Sequence, residues 1–266
     1  MSVTEKYTLD DLKYLMSRLR DPNTGCPWDL KQTYQSITAY TLEEVYEVVD
    51  AIDRNDLTHL SEELGDLLFQ IVFYCQLAEE ENEFSFDQVV SKITSKLVRR
   101  HPHVFPDGTL ESVASDSIDQ QAVKVNWQAI KQQERHDKGE KKILDDVPLA
   151  LPALKRAAKL QKRAASVGFD WNEVAPVIEK VKEELQELQQ EIVNGDQKGV
   201  EEELGDLLFS CVNLARHCSI DPERALGLSN NKFKRRFEAM ESEIDFSQEN
   251  PSLERMEKAW QKAKKS

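Results

Sequence analysis

Lys180 to Cys218 reads KVKEELQELQQEIVNGDQKGVEEELGDLLFSCVNLARHC, and this stretch decides the fold. Glu183, Glu184 and Glu187 are followed, after a spacer of fifteen residues, by Glu203, Leu204, Gly205 and Asp206. At about 3.6 residues per turn, Glu184 and Glu187 share one helix face, as do Glu203 and Asp206. Asn194-Gly195-Asp196 is a turn signal between the two runs, so the helices are expected to fold back antiparallel with both acid pairs at one height. Four carboxylates then face one small volume. That is unfavourable unless a hard divalent cation sits among them, and Mg²⁺ or Mn²⁺ with all-oxygen ligands is the natural occupant.

The same pattern occurs 140 residues earlier, with Glu43, Glu44 and Glu47, then Glu63, Leu64, Gly65 and Asp66, and Leu67-Leu68-Phe69 matches Leu207-Leu208-Phe209. Lys96, Arg99 and Arg100 answer Lys232, Arg235 and Arg236, and Trp127 and Lys131 answer Trp260 and Lys264. The chain is an internal duplication. Its 266 residues suit two domains, expected at 1–138 and 139–266.

With 35 basic and 49 acidic residues the formal charge is −14, which argues against nonspecific binding to nucleic acid or anionic membranes. Cys26, Cys75, Cys211 and Cys218 show no metal-site spacing and read as buried, reduced thiols. No signal-peptide pattern opens the chain and no apolar run reaches spanning length. A soluble cytoplasmic protein is expected.

Helical periodicity runs throughout, and no segment alternates as a strand would. The fold is expected to be all-α. Thr8 with Asp11 forms a capping box ahead of a first helix, and a loop with Cys26-Pro27-Trp28-Asp29 follows. Thr41 is the expected cap of the first acidic helix, with Glu44 as a capping partner and Leu42, Val45, Val49 and Ile52 as its core stripe. Helices over 57–78 and 86–100 come next. A polar stretch spans 107–119, a helix is expected around 127–135, and a linker over 136–146. The second half repeats the plan with helices over 149–166, the acidic pair, 222–244, and a last one from Pro251.

In helix 178–192 the apolar stripe is Ile178, Val181, Leu185, Leu188 and Ile192, with the glutamates mostly opposite. Alone, that is a solvated acidic face. The partner helix changes the reading, because Leu204, Leu207, Leu208, Cys211, Leu214 and Ala215 form one apolar face while Phe209 and Val212 extend it round the other side. A helix apolar nearly all round is covered on both sides, so Glu203 and Asp206 are expected at a covered interface. The more apolar 63–76 segment, with Phe69, Ile71, Val72, Phe73 and Tyr74, points to a second subunit packed there. A di-iron bundle would carry Glu-x-x-His, zinc would use the scattered histidines, and an EF-hand loop is absent, which leaves Mg²⁺.

Lys232-Phe233-Lys234-Arg235-Arg236 reads by itself as a solvated basic face. Beside a carboxylate site it would supply the cationic contacts that a phosphate chain needs. Trp260 suits either stacking on a base or anchoring the last helix.

The duplicated Glu-Glu-x-x-Glu, spacer, Glu-x-x-Asp within ELGDLLF resembles the MazG family of nucleoside triphosphate pyrophosphohydrolases, and GCPWD with RRHPHVF is similar to its two-domain bacterial type. The resemblance covers essentially the whole chain. It implies an all-α homodimeric enzyme whose acidic helices pair across subunits. It also implies Mg²⁺-dependent hydrolysis of NTPs and dNTPs between the α and β phosphates, as nucleotide-pool house-cleaning. By position, Glu184, Glu187, Glu203 and Asp206 would be catalytic metal ligands, Lys180 and Glu183 would border the nucleotide, and Lys232 to Arg236 with Trp260 would contact it. The family's C-terminal domain is the catalytic one. A departure is Phe73 where the second half has Asn213, an aromatic ring expected beside the first acid set. Two other classes fit the residues: a non-catalytic nucleotide or Mg²⁺ sensor, and a dimerisation module.

Overall fold

The computed structural model describes residues 6–113, 126, 127, 130, 134, 142–244, 246 and 251–264. Every regular element among them is helical, and no strand occurs. The helices are α1 (Leu9–Leu19), α2 (Thr38–Asp53), α3 (Leu57–Glu80), α4 (Phe86–Arg100), α5 (Ala153–Ala165), α6 (Val174–Asn194), α7 (Gln197–His217), α8 (Pro222–Glu241) and α9 (Leu253–Ala263). They group into two compact units, Met1–Gln132 and Gln133–Ser266. Residues 126, 127, 130 and 134 are helical, while the rest of the helix expected around 127–135, the end of the 107–119 stretch, most of the 136–146 linker and the 138/139 boundary lie outside the described residues.

Each unit is built on an antiparallel hairpin, α2–α3 in the first and α6–α7 in the second. The second turn closes as expected: Gly195 takes a left-handed φ of 74°, which a side chain would resist, and Asp196 caps α7 by accepting from the Lys198 amide at 3.0 Å. In the first unit Asn55 adopts φ 57° and Asp56 accepts from the amides of Thr58 and His59. Thr8 and Asp11 form the expected capping box. Thr41 does not cap. Helix α2 begins at Thr38, and the Thr41 hydroxyl instead donates to the Ile37 carbonyl at 3.0 Å and meets the Tyr74 hydroxyl at 3.0 Å.

The first core gathers Met16, Ile37, Val72, Phe73, Cys75, Leu77 and Phe86. Arg20 is buried over it, with its guanidinium 5.5 Å from the Phe73 centroid, paired to Glu80 and donating to the Asp29 carbonyl. In the second unit Met240, Ile244 and Ala259 join α8 to α9 with Phe237, Met256 and Trp260 around them. Two of the four thiols, Cys211 and Cys218, are exposed rather than buried; all four are free.

The hairpins correct one expectation about which faces point inward. Leu42, Val45, Val49 and Ile52 are exposed, and the stripe of α2 turned toward α3 is Ile37, Thr41, Glu44, Val48 and Ala51. Helix α6 does the same: Ile178, Leu185 and Ile192 are exposed, whereas Val177, Glu184 and Leu188 are buried. Val72, Phe73 and Val212, expected at a subunit contact, are core residues of their own units. The exposed apolar stripes on the partner helices are Leu57, Leu64, Leu68 and Ile71 on α3, and Leu204, Leu208 and Cys211 on α7.

Candidate active site

Helices α6 and α7 pack along one another as the two arms of the hairpin, which brings Glu203 to Glu184 and Glu187. Carboxylate oxygens of Glu184, Glu187 and Glu203 lie within 4.8 Å of one another. Glu184 is 5 % exposed, Glu203 half-buried and Glu187 exposed. Asp206 is exposed and stands outside this trio, although its charge reaches Glu203. Burial and then the charges of Glu187, Glu184 and Asp206 hold the Glu203 carboxyl above its ordinary range. Of the two acids expected at a covered interface, Glu203 is half-buried and Asp206 exposed in the single chain, and Glu184 is the acid that the hairpin buries most deeply.

The first unit assembles a different trio, Glu44, Glu63 and Asp66, again within 4.8 Å, with Asp66 inside the cluster where its counterpart Asp206 is not, and Glu47 outside it where its counterpart Glu187 is inside. Glu63 is 7 % exposed. Burial, then Asp66, Glu47 and Glu63, push the Glu44 carboxyl up; burial and Glu47 do the same to Glu63, opposed by His59. The His59 ring nitrogen Nδ1 lies 3.1 Å from Glu63 Oε1. His59 was not among the expected site residues, although its i,i+4 spacing to Glu63 was a usable signal. Phe73 does not fill this cluster, since its ring packs edge-on to Phe69 in the core.

In both trios the donors are hard, anionic oxygens packed closely together, and the crowding adds to burial in raising the carboxyls of Glu44, Glu63 and Glu203. That donor set fits a divalent cation of the Mg²⁺ or Mn²⁺ kind, which would replace repulsion by coordination.

Lys180 sits one turn before Glu184, with Nζ 2.8 Å from Glu183 Oε1 and 2.9 Å from Glu184 Oε1, and these two hydrogen-bonded acids raise its proton affinity. Asn213, expected beside the acids, instead accepts from Arg216 at 2.8 and 3.0 Å. Arg216 also grips Asp170 through both terminal nitrogens, and the His217 ring lies 2.9 Å from Asp170. The Arg216 hydrogen bonds hold the Asp170 carboxyl down at about 2, against burial. This network staples the 166–173 loop to the end of α7, and no local pattern announced it.

The basic run lies on α8. Lys232, Phe233, Lys234 and Arg235 are exposed and Arg236 is half-buried. Lys234 reaches Glu238 at 3.8 Å, while among the described residues Lys232, Arg235 and Arg236 make no ion pair. Trp260 is half-buried on α9 with its ring 5.3 Å from Phe233, so it does anchor the last helix, and Phe233 is left as the exposed ring of that pair.

The MazG nucleotide pyrophosphohydrolase domain model matches this chain twice, over residues 32–105 and 172–240. The chain is 48 % identical over 262 residues to the nucleoside triphosphate pyrophosphohydrolase of Escherichia coli K12, covering 97 % of each chain. It is 41 % identical over 258 residues to the nucleoside triphosphate pyrophosphohydrolase/pyrophosphatase MazG of Thermotoga maritima, covering 96 % of this chain and 95 % of that one. Against the uncharacterized protein YabN of Bacillus subtilis it is 45 % identical over 256 residues, which are 95 % of this chain and 50 % of that protein.

Proposed function

Since the chain belongs to the MazG nucleotide pyrophosphohydrolase family, we propose that its second unit hydrolyses nucleoside and deoxynucleoside triphosphates between the α and β phosphates. The products are the nucleoside monophosphate and pyrophosphate. The observation that carries this reading is the convergence of Glu184, Glu187 and Glu203 beside a lysine.

Glu184, Glu187 and Glu203, with Asp206 at their edge, would hold Mg²⁺. When bound, the ion neutralises phosphate charge and acidifies a water. One of the clustered glutamates would accept a proton from the water that attacks phosphorus in line. Glu183 and Lys180 border the phosphates. Lys232, Arg235 and Arg236 give the remaining negative charge its donors, and the open Phe233 face, backed by Trp260, receives the base.

A homodimer accompanies this reading, supported by the exposed stripes Ile178, Leu185 and Ile192 on α6 and Leu204 and Leu208 on α7. Heptad-like spacing on adjacent helices suits an isologous helical contact. We place the protein in the cytoplasm, in keeping with four free thiols and no described helix long and apolar enough to cross a membrane.

A product assay tests the reaction. Purified protein with Mg²⁺ and each of the eight common NTPs and dNTPs should release pyrophosphate stoichiometrically with monophosphate. Orthophosphate as the primary product refutes the assignment.

A further inference from the structure

The buried acid of the second cluster already has a cation. Lys180 Nζ lies 2.9 Å from Glu184 Oε1 and 2.8 Å from Glu183 Oε1, and the Glu184 side chain is 7 % exposed against 35 % for the lysine. Glu184 is also one of the three acids whose oxygens lie within 4.8 Å. A single carboxylate is thus claimed twice, by an ammonium built into the helix and by any divalent cation that the trio takes up.

The first unit differs at this point. The residue 140 positions earlier is Tyr40, which is uncharged and stacks edge-on with Trp28 at 5.8 Å. No lysine contacts Glu44 among the described residues. The internal counter-ion therefore belongs to the second cluster and is not a general requirement of the hairpin.

A dication bound among Glu184, Glu187 and Glu203 would stand only a few ångströms from the Lys180 ammonium, and like charges at that range repel strongly in a partly covered site. The lysine is half-open and on a flexible four-carbon stem, so it can leave. Its natural destination is the negative charge of an arriving triphosphate.

We propose that Lys180 competes with the divalent cation for Glu184 and, by transferring to substrate phosphate, makes cation loading of the second cluster conditional on the nucleotide. The inference rests on reading the trio as the cation site of the proposed enzyme. Linkage requires the effect to be reciprocal: a cation that frees Lys180 also strengthens phosphate binding.

The test uses the full chain with the first cluster silenced by Glu63→Gln and Asp66→Asn, and two titrations. Mn²⁺ alone is followed by electron paramagnetic resonance. An α,β-methylene triphosphate analogue, which cannot be cleaved at that bond, is titrated at saturating Mn²⁺ by calorimetry. Lys180→Met should bind Mn²⁺ alone about tenfold more tightly and the analogue about tenfold more weakly, within the usual range of coupling between sites. Lys180→Arg should restore weak Mn²⁺ binding, which separates competition from misfolding. Losses in both titrations, or unchanged Mn²⁺ affinity in Lys180→Met, overturn the proposal. If Glu187→Gln leaves Mn²⁺ binding unaltered, the trio is not the cation site, and both the proposal and the reading beneath it fall.

Discussion

The exposed stripes set a measurable dimer strength. Leu185 on α6 is 44 % exposed and Leu208 on α7 is 51 % exposed in the single chain. Fully burying a leucine stabilises by about 1.5–3 kcal/mol, so covering the remaining half of each is worth roughly 0.7–1.5 kcal/mol. A two-fold contact uses each residue twice. Leu185→Ala with Leu208→Ala therefore removes on the order of 3–6 kcal/mol from the dimer, about two to four orders of magnitude in dissociation constant. Sedimentation velocity across micromolar to nanomolar concentration reads this directly. The unaltered chain should run at twice its 30.6 kDa mass at micromolar concentration, and the double variant should split into single chains there. A wild-type monomer at micromolar concentration, or a variant whose dimer resists dilution as well as the parent, refutes the reasoning.

Glu203→Gln should lower pyrophosphate release at least a hundredfold while Glu63→Gln keeps most of it, measured by coupled pyrophosphate detection; the reverse pattern would move catalysis to the first unit, and equal partial losses would mean that both turn over. Asp170→Asn should destabilise the second unit by roughly 1–2 kcal/mol above pH 4 in a thermal melt, with the difference vanishing near pH 2. The sign follows from the depressed carboxyl: its contribution is complete above the ordinary value of 3.8 and is lost as pH falls toward about 2.

The described helices, the turn at Gly195 and the convergence of acids within each hairpin were legible in the sequence, because each rests on local spacing, whereas the place of Asp206 outside the second trio was not. The direction each helix faces was not. Helix α2 carries two candidate stripes, and the more apolar one, Leu42, Val45, Val49 and Ile52, is the stripe left outside. Hydrophobicity alone ranks a face; it does not say whether the same chain or another molecule covers it. The acids occupy the inner stripe with Ile37 and Ala51 in the first unit and with Val177 and Leu188 in the second, which placed Glu184 on a supposedly solvated side. The Asp170 network was invisible for a different reason: 46 residues separate Asp170 from Arg216, and only the tertiary fold brings them together.

Acids turned inward carry a cost that the solution conditions can reveal. Glu44, Glu63 and Glu203 all hold their protons more tightly in the folded protein than an isolated glutamate does, first through burial and then through their acidic neighbours. A carboxyl raised on folding favours the native state when protonated, so its contribution is present at low pH and is lost as pH climbs past the ordinary value of 4.5. In a chelator the melting temperature should therefore fall as pH is raised from 5 to 7, apart from the separate gain from Asp170, which is complete below that window. A divalent cation that binds only the native clusters cancels the loss. At a hundred times its dissociation constant, one bound ion adds about 2.7 kcal/mol, and the shift should be larger at pH 7 than at pH 5 because protons compete for the same oxygens. Calorimetric melts with EDTA or Mg²⁺ at the two pH values measure both slopes. A Mg²⁺ shift equal at both, or none at pH 7, would mean that the converging carboxylates do not hold the ion.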